Sequence, residues 1–305
     1  MAPRYPTIRR EALFLEQVEE SGLVAVRTNI KADWQASYHE VALVDPRVFG
    51  TTCVDPSFIT MQINYSELNG MFAEENNIRQ KKTDAPNAAS VHVSEEISLR
   101  RAVLLGETIT IRPAKPAVKL PQRLGELVRT FYEGVDTSGQ IVWELVREGI
   151  MVQAAKQLRA RSASSTGPVR DAREGHVFVE AKTFSPEIVL SYLNDFDGLN
   201  PVHHDPEVAV AAGYRAPIWA GAQGIHICVE HLCRLASGLP GRLHMSTKLL
   251  RPVCWDETVE LWFRQAEGKA SGIGIYSLLR ATDHKLVLEL TVTAFTPMQV
   301  LASRL

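Results

Sequence analysis

Apolar and polar residues alternate along two stretches of the chain, one near its middle and one near its end. The first stretch leads into residues 140–144 (QIVWE) and the second into residues 285–289 (KLVLE). A period of two is typical of β-strands that bury one face. The polar breaks at 136–139 and 282–284 predict hairpin turns. We therefore expect each half of the chain to end in an antiparallel meander.

Short helices are predicted ahead of the second meander. Ser185 followed by Pro186 is the pattern of an N-cap and a proline in the first helical position, and it predicts a helix through Leu193. Asp205 repeats this start before another proline, and Gly213 is placed to end the second helix.

A longer apolar helix is predicted from Gly221 to about Leu235. Its apolar residues recur three and four positions apart, as expected of a helix that packs on a sheet: Ile225, Cys228, Val229, Leu232. At the other end of the chain, residues 1–22 are rich in Arg and Glu and lack a long apolar run, so we expect a short polar helix there and no secretory signal.

The two halves of the chain resemble each other. Residues 97–111 (ISLRRAVLLGETITI) align without gaps with residues 247–261 (TKLLRPVCWDETVEL), which brings Glu107 onto Glu257. A polar tract rich in Ser, Gly and Pro separates the halves and is typical of a linker. We predict domains at 1–154 and 175–305 with a linker at 155–174, each domain being a sheet curled around one long helix.

Composition and charge exclude several classes of protein. The chain has 305 residues, 45% of them hydrophobic, which is enough to bury one large core or two medium ones. Lys and Arg number 33 against 35 Asp and Glu, a net charge of -2, so neither nucleic acid nor an anionic membrane is an expected partner. The longest apolar stretch, 216–236, contains charged residues, so no transmembrane segment is predicted.

The cysteines point to a reducing compartment. The chain has four, in apolar or irregular settings and without a CxxC pair, which argues against a disulfide framework and a zinc site. His226 and His231 are five residues apart on the predicted long helix and so do not share a face, which makes a metal pair there improbable. We expect no metal and a cytoplasmic location.

Residues 195–205 (DFDGLNPVHHD) concentrate groups that can donate, accept or titrate. Gly198 and Pro201 give this segment the composition of a turn between the two short helices. Polar turns on a rigid scaffold often carry catalytic groups. The alternative is an Asx turn followed by a helix cap, with Asp205 as the cap and the histidines solvated.

These residues resemble a known family. The spacing over about sixty residues is similar to the hydratase 2 motif of the MaoC-like dehydratases, the (R)-specific enoyl-CoA hydratases. The matching residues are Asn200, Pro201, Val202, His203, Asp205, Pro206, Ala209, Gly213, Pro217, Ile218 and Gly221. The resemblance implies an α+β fold of the double hot-dog type, in which two antiparallel sheets each wrap a long central helix.

The resemblance also implies a reaction, the reversible syn addition of water across the 2,3 double bond of an acyl thioester. His203 and Asn200 match catalytic positions of the motif, and an imidazole can move the proton because it titrates near neutral pH. The family carboxylate, two residues before the Asn, is Gly198 here. Asp197 could replace it, Asp195 could replace it, or His203 could work without an equivalent carboxylate.

Gly221 is a candidate oxyanion donor. The N–H groups at the start of a helix have no partner within the helix, and the helix dipole favours negative charge there, as on a thioester enolate. Family members use a glycine amide at this position, commonly after a His, which is Ala220 here. The alternative is close packing of the helix on the sheet.

Four further residues complete the predicted site, as substrate-binding groups: Asp195, Gly198, Pro217 and Trp219. Large aromatics such as Trp219 more often simply fill a core. The N-terminal half lacks an Asn-Pro-x-His motif, and in its region 45–59 we find no base suited to the water step. Two-halved relatives use such a degenerate half to accommodate a bulky acyl chain.

The sequence thus predicts a hydro-lyase of the enoyl-CoA hydratase or 3-hydroxyacyl dehydratase type. It needs no cofactor beyond the coenzyme A or carrier protein that is part of the substrate. One alternative is a MaoC-like tailoring enzyme that dehydrates, isomerises or cyclises a complex substrate. Another is a non-catalytic acyl-thioester binding subunit. The resemblance leaves a homodimer open, and a eukaryotic source would imply the peroxisomal matrix.

Overall fold

The computed structural model describes residues 14–20, 23–41, 45–49, 52–68, 89–122, 125–152, 173–193 and 201–298. Within them, eleven strands form one antiparallel sheet in the order β1-β2-β4-β5-β6-β3-β8-β11-β10-β9-β7. The strands are β1 (Phe14–Glu20), β2 (Leu23–Asn29), β3 (Ala89–Leu99), β4 (Thr108–Gln122), β5 (Gly125–Val135), β6 (Ile141–Val152), β7 (Val177–Thr183), β8 (Pro240–Leu249), β9 (Thr258–Gln265), β10 (Gly274–Arg280) and β11 (Leu286–Pro297).

Helices follow the same order in each half of the chain. They are α1 (Ala32–Val41), α2 (Pro46–Phe49), α3 (Phe58–Leu68), α4 (Pro186–Tyr192), α5 (Pro206–Ala211) and α6 (Gly221–Leu235), with a 3-10 turn at Pro201–His203. The two longest, α3 and α6, contribute fully buried side chains to the core. None of the helices that the structure describes is both long and apolar enough to span a membrane.

The two halves join edge to edge into a continuous sheet. Strand β3 of the first half pairs with β8 of the second, in the register Ser94↔Lys248 to Leu99↔Leu243. The predicted hairpins β5–β6 and β10–β11 are present on either side of this junction. The architecture is the expected α+β double hot-dog, with a long helix against each half of the sheet.

The predicted starts of the short helices are confirmed. The Ser185 side chain accepts a hydrogen bond from the N–H of Ile188 at the start of α4. The Asp205 carboxylate accepts hydrogen bonds from the N–H groups of the second and third residues of α5. Gly213 follows α5 with a φ of 91°, a conformation that glycine adopts without a steric cost.

The predicted internal repeat is visible in equivalent hydrogen bonds. Glu107 accepts from the N–H of Leu104, and Glu257 accepts from the N–H of Cys254 in the same way. The chain before each long helix pairs with these turns through the bridges Cys53↔Leu104 and Ile218↔Cys254. The alignment of residues 97–111 with 247–261 therefore relates positions that are equivalent in space.

The N-terminal prediction is wrong over the part that the structure describes. Residues 14–20 form the edge strand β1 instead of a polar helix, and they pair with β2 from Phe14↔Asn29 to Glu20↔Leu23. Pairing with a neighbouring strand outweighs the weak local preference of a polar segment. Most of the predicted linker, residues 155–172, lies outside the described residues.

Gly134 and Trp143 face each other across strands β5 and β6, and the glycine makes room for the indole. A Cβ atom on Gly134 would overlap the indole of the fully buried Trp143. We expect Gly134→Ala to lower the free energy of unfolding by about 1–3 kcal/mol, the usual cost of overpacking. Denaturant titration measures it. Gly238→Ala is the control, because no atom lies within 4 Å of its added Cβ; an equal loss in both variants would contradict the packing argument.

Candidate functional site

His203 ends the 3-10 turn that links α4 to α5, and its side chain is buried. Only 9% of the residue is exposed, whereas Pro201 at the start of the same turn faces solvent. The turn is stabilised by hydrogen bonds from the N–H groups of His204 and Asp205 to the carbonyl of Pro201. The alternative of a solvated histidine at this position is therefore wrong for His203.

A hydrogen bond determines which nitrogen of the imidazole carries the proton. Nδ1 of His203 lies 2.9 Å from the carbonyl oxygen of Ile218. A carbonyl can only accept, so Nδ1 must donate, and in the neutral ring the lone pair then belongs to Nε2. This is the arrangement that a general base requires: one nitrogen orients the ring and the other accepts a proton.

Strand-like contacts fix the segment that carries Ile218. The N–H of Trp219 donates to the carbonyl of Val253 at 2.8 Å, and the N–H of Trp255 donates to the carbonyl of Pro217 at 3.0 Å. Glu257 closes the turn that pairs with this segment. It is nearly buried, and its Oε1 lies 2.7 Å from Nη2 of Arg215. This ion pair raises the pKa of Arg215. The carbonyl that orients His203 is thus built into the sheet scaffold.

Gly221 begins α6, and its N–H is one that the helix cannot satisfy. The preceding Ala220 provides no side-chain cap. A Cβ atom on Gly221 would lie 2.8 Å from Cδ1 of Leu249, so the helix approaches β8 closely at this point. Close packing alone accounts for a glycine here, and the oxyanion role stays a prediction.

Pro217 and Trp219 flank Ile218 and are both buried. The Trp219 ring packs edge-on against Phe184, with ring centroids 4.3 Å apart and an angle of 76° between the planes. Among the described residues its indole Nε1 has no hydrogen-bond partner. Trp219 therefore fills part of the core and still has an unused donor beside the segment that orients His203.

Four of the predicted site residues lie outside the described residues, in the segment 194–200: Asp195, Asp197, Gly198 and Asn200. The structure brings together the other four, because His203, Pro217, Trp219 and Gly221 all belong to the turn and to the segment that leads into α6. The choice between Asp197, Asp195 and no carboxylate stays open.

The seam between the two halves contains a buried polar network that the sequence analysis missed. Asp55 accepts a hydrogen bond from the hydroxyl of Ser57 at 2.5 Å, and Nε2 of His39 lies 3.3 Å from its other carboxylate oxygen. The Ser57 hydroxyl also contacts Nδ1 of His226 on α6. All four residues are almost completely buried. The signal that could have found it is Asp-Pro-Ser directly before a helix, in the region 45–59 where we looked only for a base.

His226 makes stability sensitive to pH. Burial lowers its pKa well below the ordinary value, so the fold keeps the ring neutral, whereas the unfolded chain takes up a proton near pH 6.5. Below that pH the unfolded state binds more protons, and the free energy of unfolding falls as the pH drops. We expect His226→Asn to reduce this slope, by up to about 1.4 kcal/mol per pH unit, between about pH 6.5 and 5.

Denaturant unfolding at a series of pH values tests this expectation. His284→Asn is the matched control, because His284 lies in an exposed turn with 44% of its side chain accessible. An unchanged slope in the His226 variant would show that this ring is not the group responsible.

Among the described residues, no cluster of three or more His, Cys, Asp and Glu side chains has the arrangement of a metal site.

No protein-family model matches the chain, and no curated protein matches it by sequence. Solved structures match its fold. A MaoC-like dehydratase from Phytophthora capsici superposes over 95% of this chain and 100% of its own, with a TM-score of 0.65 and 15% identity. HtdX from Mycobacterium tuberculosis gives a TM-score of 0.62 at 17% identity, over 87% of this chain and 96% of its own.

The full-length peroxisomal multifunctional enzyme type 2 from Drosophila melanogaster also matches. It superposes with a TM-score of 0.60 and 15% identity, over 88% of this chain and 48% of its own. At these identities the comparisons establish the fold, which this chain shares with MaoC-like dehydratases. They agree with the architecture that the repeat and the hydratase 2 motif predicted.

Proposed function

We propose that this protein is a hydro-lyase that adds water to, or removes it from, the 2,3 bond of an enoyl or 3-hydroxyacyl thioester. The observation that carries the proposal is the geometry of His203: a buried imidazole oriented through Nδ1 by the Ile218 carbonyl. Its position in the hydratase 2 motif and the likeness of the fold to MaoC-like dehydratases support the same reaction.

In the hydration direction, Nε2 of His203 accepts a proton from a water molecule while the water oxygen forms a bond to C3. The electron pair of the double bond moves to C2 and onto the thioester oxygen, which gives an enolate. The protonated ring then delivers its proton to C2 on the same face of the substrate. Water has been added in the syn sense, and the neutral imidazole is restored.

The enolate needs hydrogen-bond donors at the moment when charge develops on its oxygen. The N–H of Gly221 at the start of α6 is the donor that we assign to this task, assisted by the positive end of the helix dipole. Asn200 and a carboxylate, Asp197 in preference to Asp195, would orient the water together with His203. Asp195, Gly198, Pro217 and Trp219 would contact the substrate beside these groups.

The N-terminal half is proposed to hold the acyl chain. This part of the proposal rests on the resemblance, because two-halved relatives use a degenerate half to accommodate a bulky acyl chain. Coenzyme A or a carrier protein would deliver the thioester. We also propose that the chain divides into domains at 1–154 and 175–305 and that it forms a homodimer.

The test is turnover of a panel of trans-2-enoyl-CoA substrates that differ in chain length and branching. We expect loss of the enoyl absorbance and formation of the (R)-3-hydroxyacyl product, analysed by chiral chromatography. The control is the same preparation after heat denaturation. Absence of hydration and of the reverse dehydration across the whole panel would contradict the proposal.

Two departures from the family motif favour a second candidate, a subunit that binds acyl thioesters without converting them. Gly198 stands where the family has an Asp, and Ala220 stands where it commonly has a His. A tailoring enzyme acting on a complex substrate would also fit these changes. Binding of a saturated acyl-CoA by calorimetry without turnover of any enoyl-CoA would favour the binding subunit.

A further inference from the structure

Three polar residues form a stripe along one face of α6, the long helix of the second half. Gln223, His226 and Glu230 are spaced by three and four residues and therefore lie on the same side of the helix. His226 contacts Ser57 of the first half, and Glu230 accepts a hydrogen bond from the N–H of Asp45 at 2.9 Å. The stripe therefore faces the seam between the two halves.

Gln223 differs from the other two members of the stripe. It is 0% exposed, and within the described part of the chain neither its amide nitrogen nor its amide oxygen has a hydrogen-bond partner. A buried amide without partners is rare in folded proteins, because its desolvation is not compensated. It needs an explanation, and a polar group of a bound substrate would supply one.

The internal repeat shows what the other half has at the same place. The N–H of Gln223 donates to the carbonyl of Ala220 at 3.0 Å, and the N–H of Phe58 donates to the carbonyl of Asp55 at 3.0 Å. Phe58 is therefore the structural equivalent of Gln223. It is also fully buried and packs against the rings of His39 and His226. The first half fills this position with an apolar side chain, whereas the second half has an amide without partners there.

Gln223 also lies at the catalytic end of α6. It is two residues after Gly221, the first residue of the helix. The segment that leads into the helix contains the Ile218 carbonyl, which orients His203. An amide offers both donors and an acceptor, so its best complement is a group of the same kind, another amide or a hydroxyl.

We infer that Gln223 binds the thioester substrate through a group that both donates and accepts, an amide of its pantetheine arm or a hydroxyl of its acyl chain. This inference rests on the proposed function, because it assumes that an acyl thioester binds at the end of α6 that follows the Ile218 segment. Gln223 is a binding residue in this account and takes no part in the proton transfers.

The test replaces Gln223 by leucine, an apolar residue of similar size, and Gln35→Leu is the matched control. Gln35 is equally buried but paired: its Nε2 donates to the carbonyl of Cys53 at 3.0 Å, and its Oε1 accepts from the N–H of Asp55 at 2.8 Å. We expect the ligand-free melting temperature to rise in the Gln223 variant and to fall in the Gln35 variant, because only the second loses hydrogen bonds.

Calorimetry measures binding with three unreactive probes: hexanoyl-CoA, ω-hydroxyhexanoyl-CoA and S-ethyl hexanethioate. We expect Gln223→Leu to weaken binding about tenfold, the loss that one ordinary hydrogen bond produces. A loss with both coenzyme A probes and none with the ethyl thioester assigns the contact to the pantetheine arm. A loss confined to the hydroxylated probe assigns it to the acyl chain.

Unchanged affinity for all three probes, or a lower melting temperature of the ligand-free Gln223 variant, would overturn the inference. These outcomes differ from a failure of the proposed function. Wild-type protein that binds hexanoyl-CoA but hydrates no enoyl-CoA would contradict the reaction alone, and the Gln223 comparison would still decide the binding role. Wild-type protein that binds none of the probes would overturn both.

Discussion

Replacing His203 by alanine is expected to reduce kcat for enoyl-CoA hydration about 10²- to 10⁴-fold, the range over which a single general acid–base group contributes. The reason is that Nε2 of this ring is assigned both proton transfers, from water and to C2. KM should change much less, since the ring contributes little to binding the rest of the substrate. Steady-state rates with the best substrate of the panel measure both quantities.

Two further variants separate chemistry from folding. His203→Gln can preserve a donor toward the carbonyl of Ile218 but has no basic nitrogen, so it should be as inactive as the alanine variant. His204→Ala, one residue along the chain, should keep wild-type activity because the neighbouring ring is not assigned a role. Comparable rates in wild type and His203→Ala would remove the proposed mechanism.

Replacing Arg147 by methionine is expected to lower the free energy of unfolding by about 3–5 kcal/mol, the cost of leaving the partner of a buried ion pair without its countercharge. Arg147 on β6 and Glu95 on β3 are 2% and 3% exposed, and Nη2 of the arginine lies 3.3 Å from Oε2 of the glutamate. The arginine also donates to the carbonyl of Thr60 on α3 at 3.1 Å, and the Thr60 hydroxyl contacts the same carboxylate.

A double-mutant cycle, measured by denaturant titration, tests this prediction. Glu95→Leu alone should also destabilise, whereas the combination Arg147→Met with Glu95→Leu should recover most of the loss, since apolar replacements of a buried pair are often tolerated. Arg100→Met is the control, from the exposed pair of Arg100, which directly follows β3, with Glu144 on β6 at 2.8 Å. Its cost should stay below about 1 kcal/mol. Additive losses in the double mutant would contradict the prediction.

Local patterns in the sequence predicted two hairpins of the sheet and the helices of the second half. Period-two alternation and turn residues located the hairpins β5–β6 and β10–β11, and cap residues located the starts of α4 and α5. The spacing of apolar residues placed α6 from Gly221 to Leu235, as observed. These features depend on neighbours within a few residues, which is the range over which sequence periodicity and capping act. The 150-residue repeat then implied that the unit is used twice.

The sequence predicted which residues belong to the candidate site. It did not predict whether the His203 ring is buried or which of its nitrogens carries the proton. The motif singled out His203, but residue spacing left the alternative of a solvated ring open. Its burial and its tautomer depend on Ile218, fifteen residues along the chain, being fixed against Cys254 across the sheet. A hydrogen bond of this kind exists only after the strands have paired, so no local pattern specifies it.

Side-chain patterns over short distances specified the two hairpins, the helices of the second half, the repeat and the type of residue at the candidate site. How the halves meet depends on the tertiary fold. That meeting buries Gln223 and His226 at the seam, and it brings Glu230 to Asp45 across 185 residues of chain. It also turns residues 14–20 into a strand through pairing with β2. These contacts join segments that are far apart in sequence, and separation along the chain carries no information about distance in the folded protein.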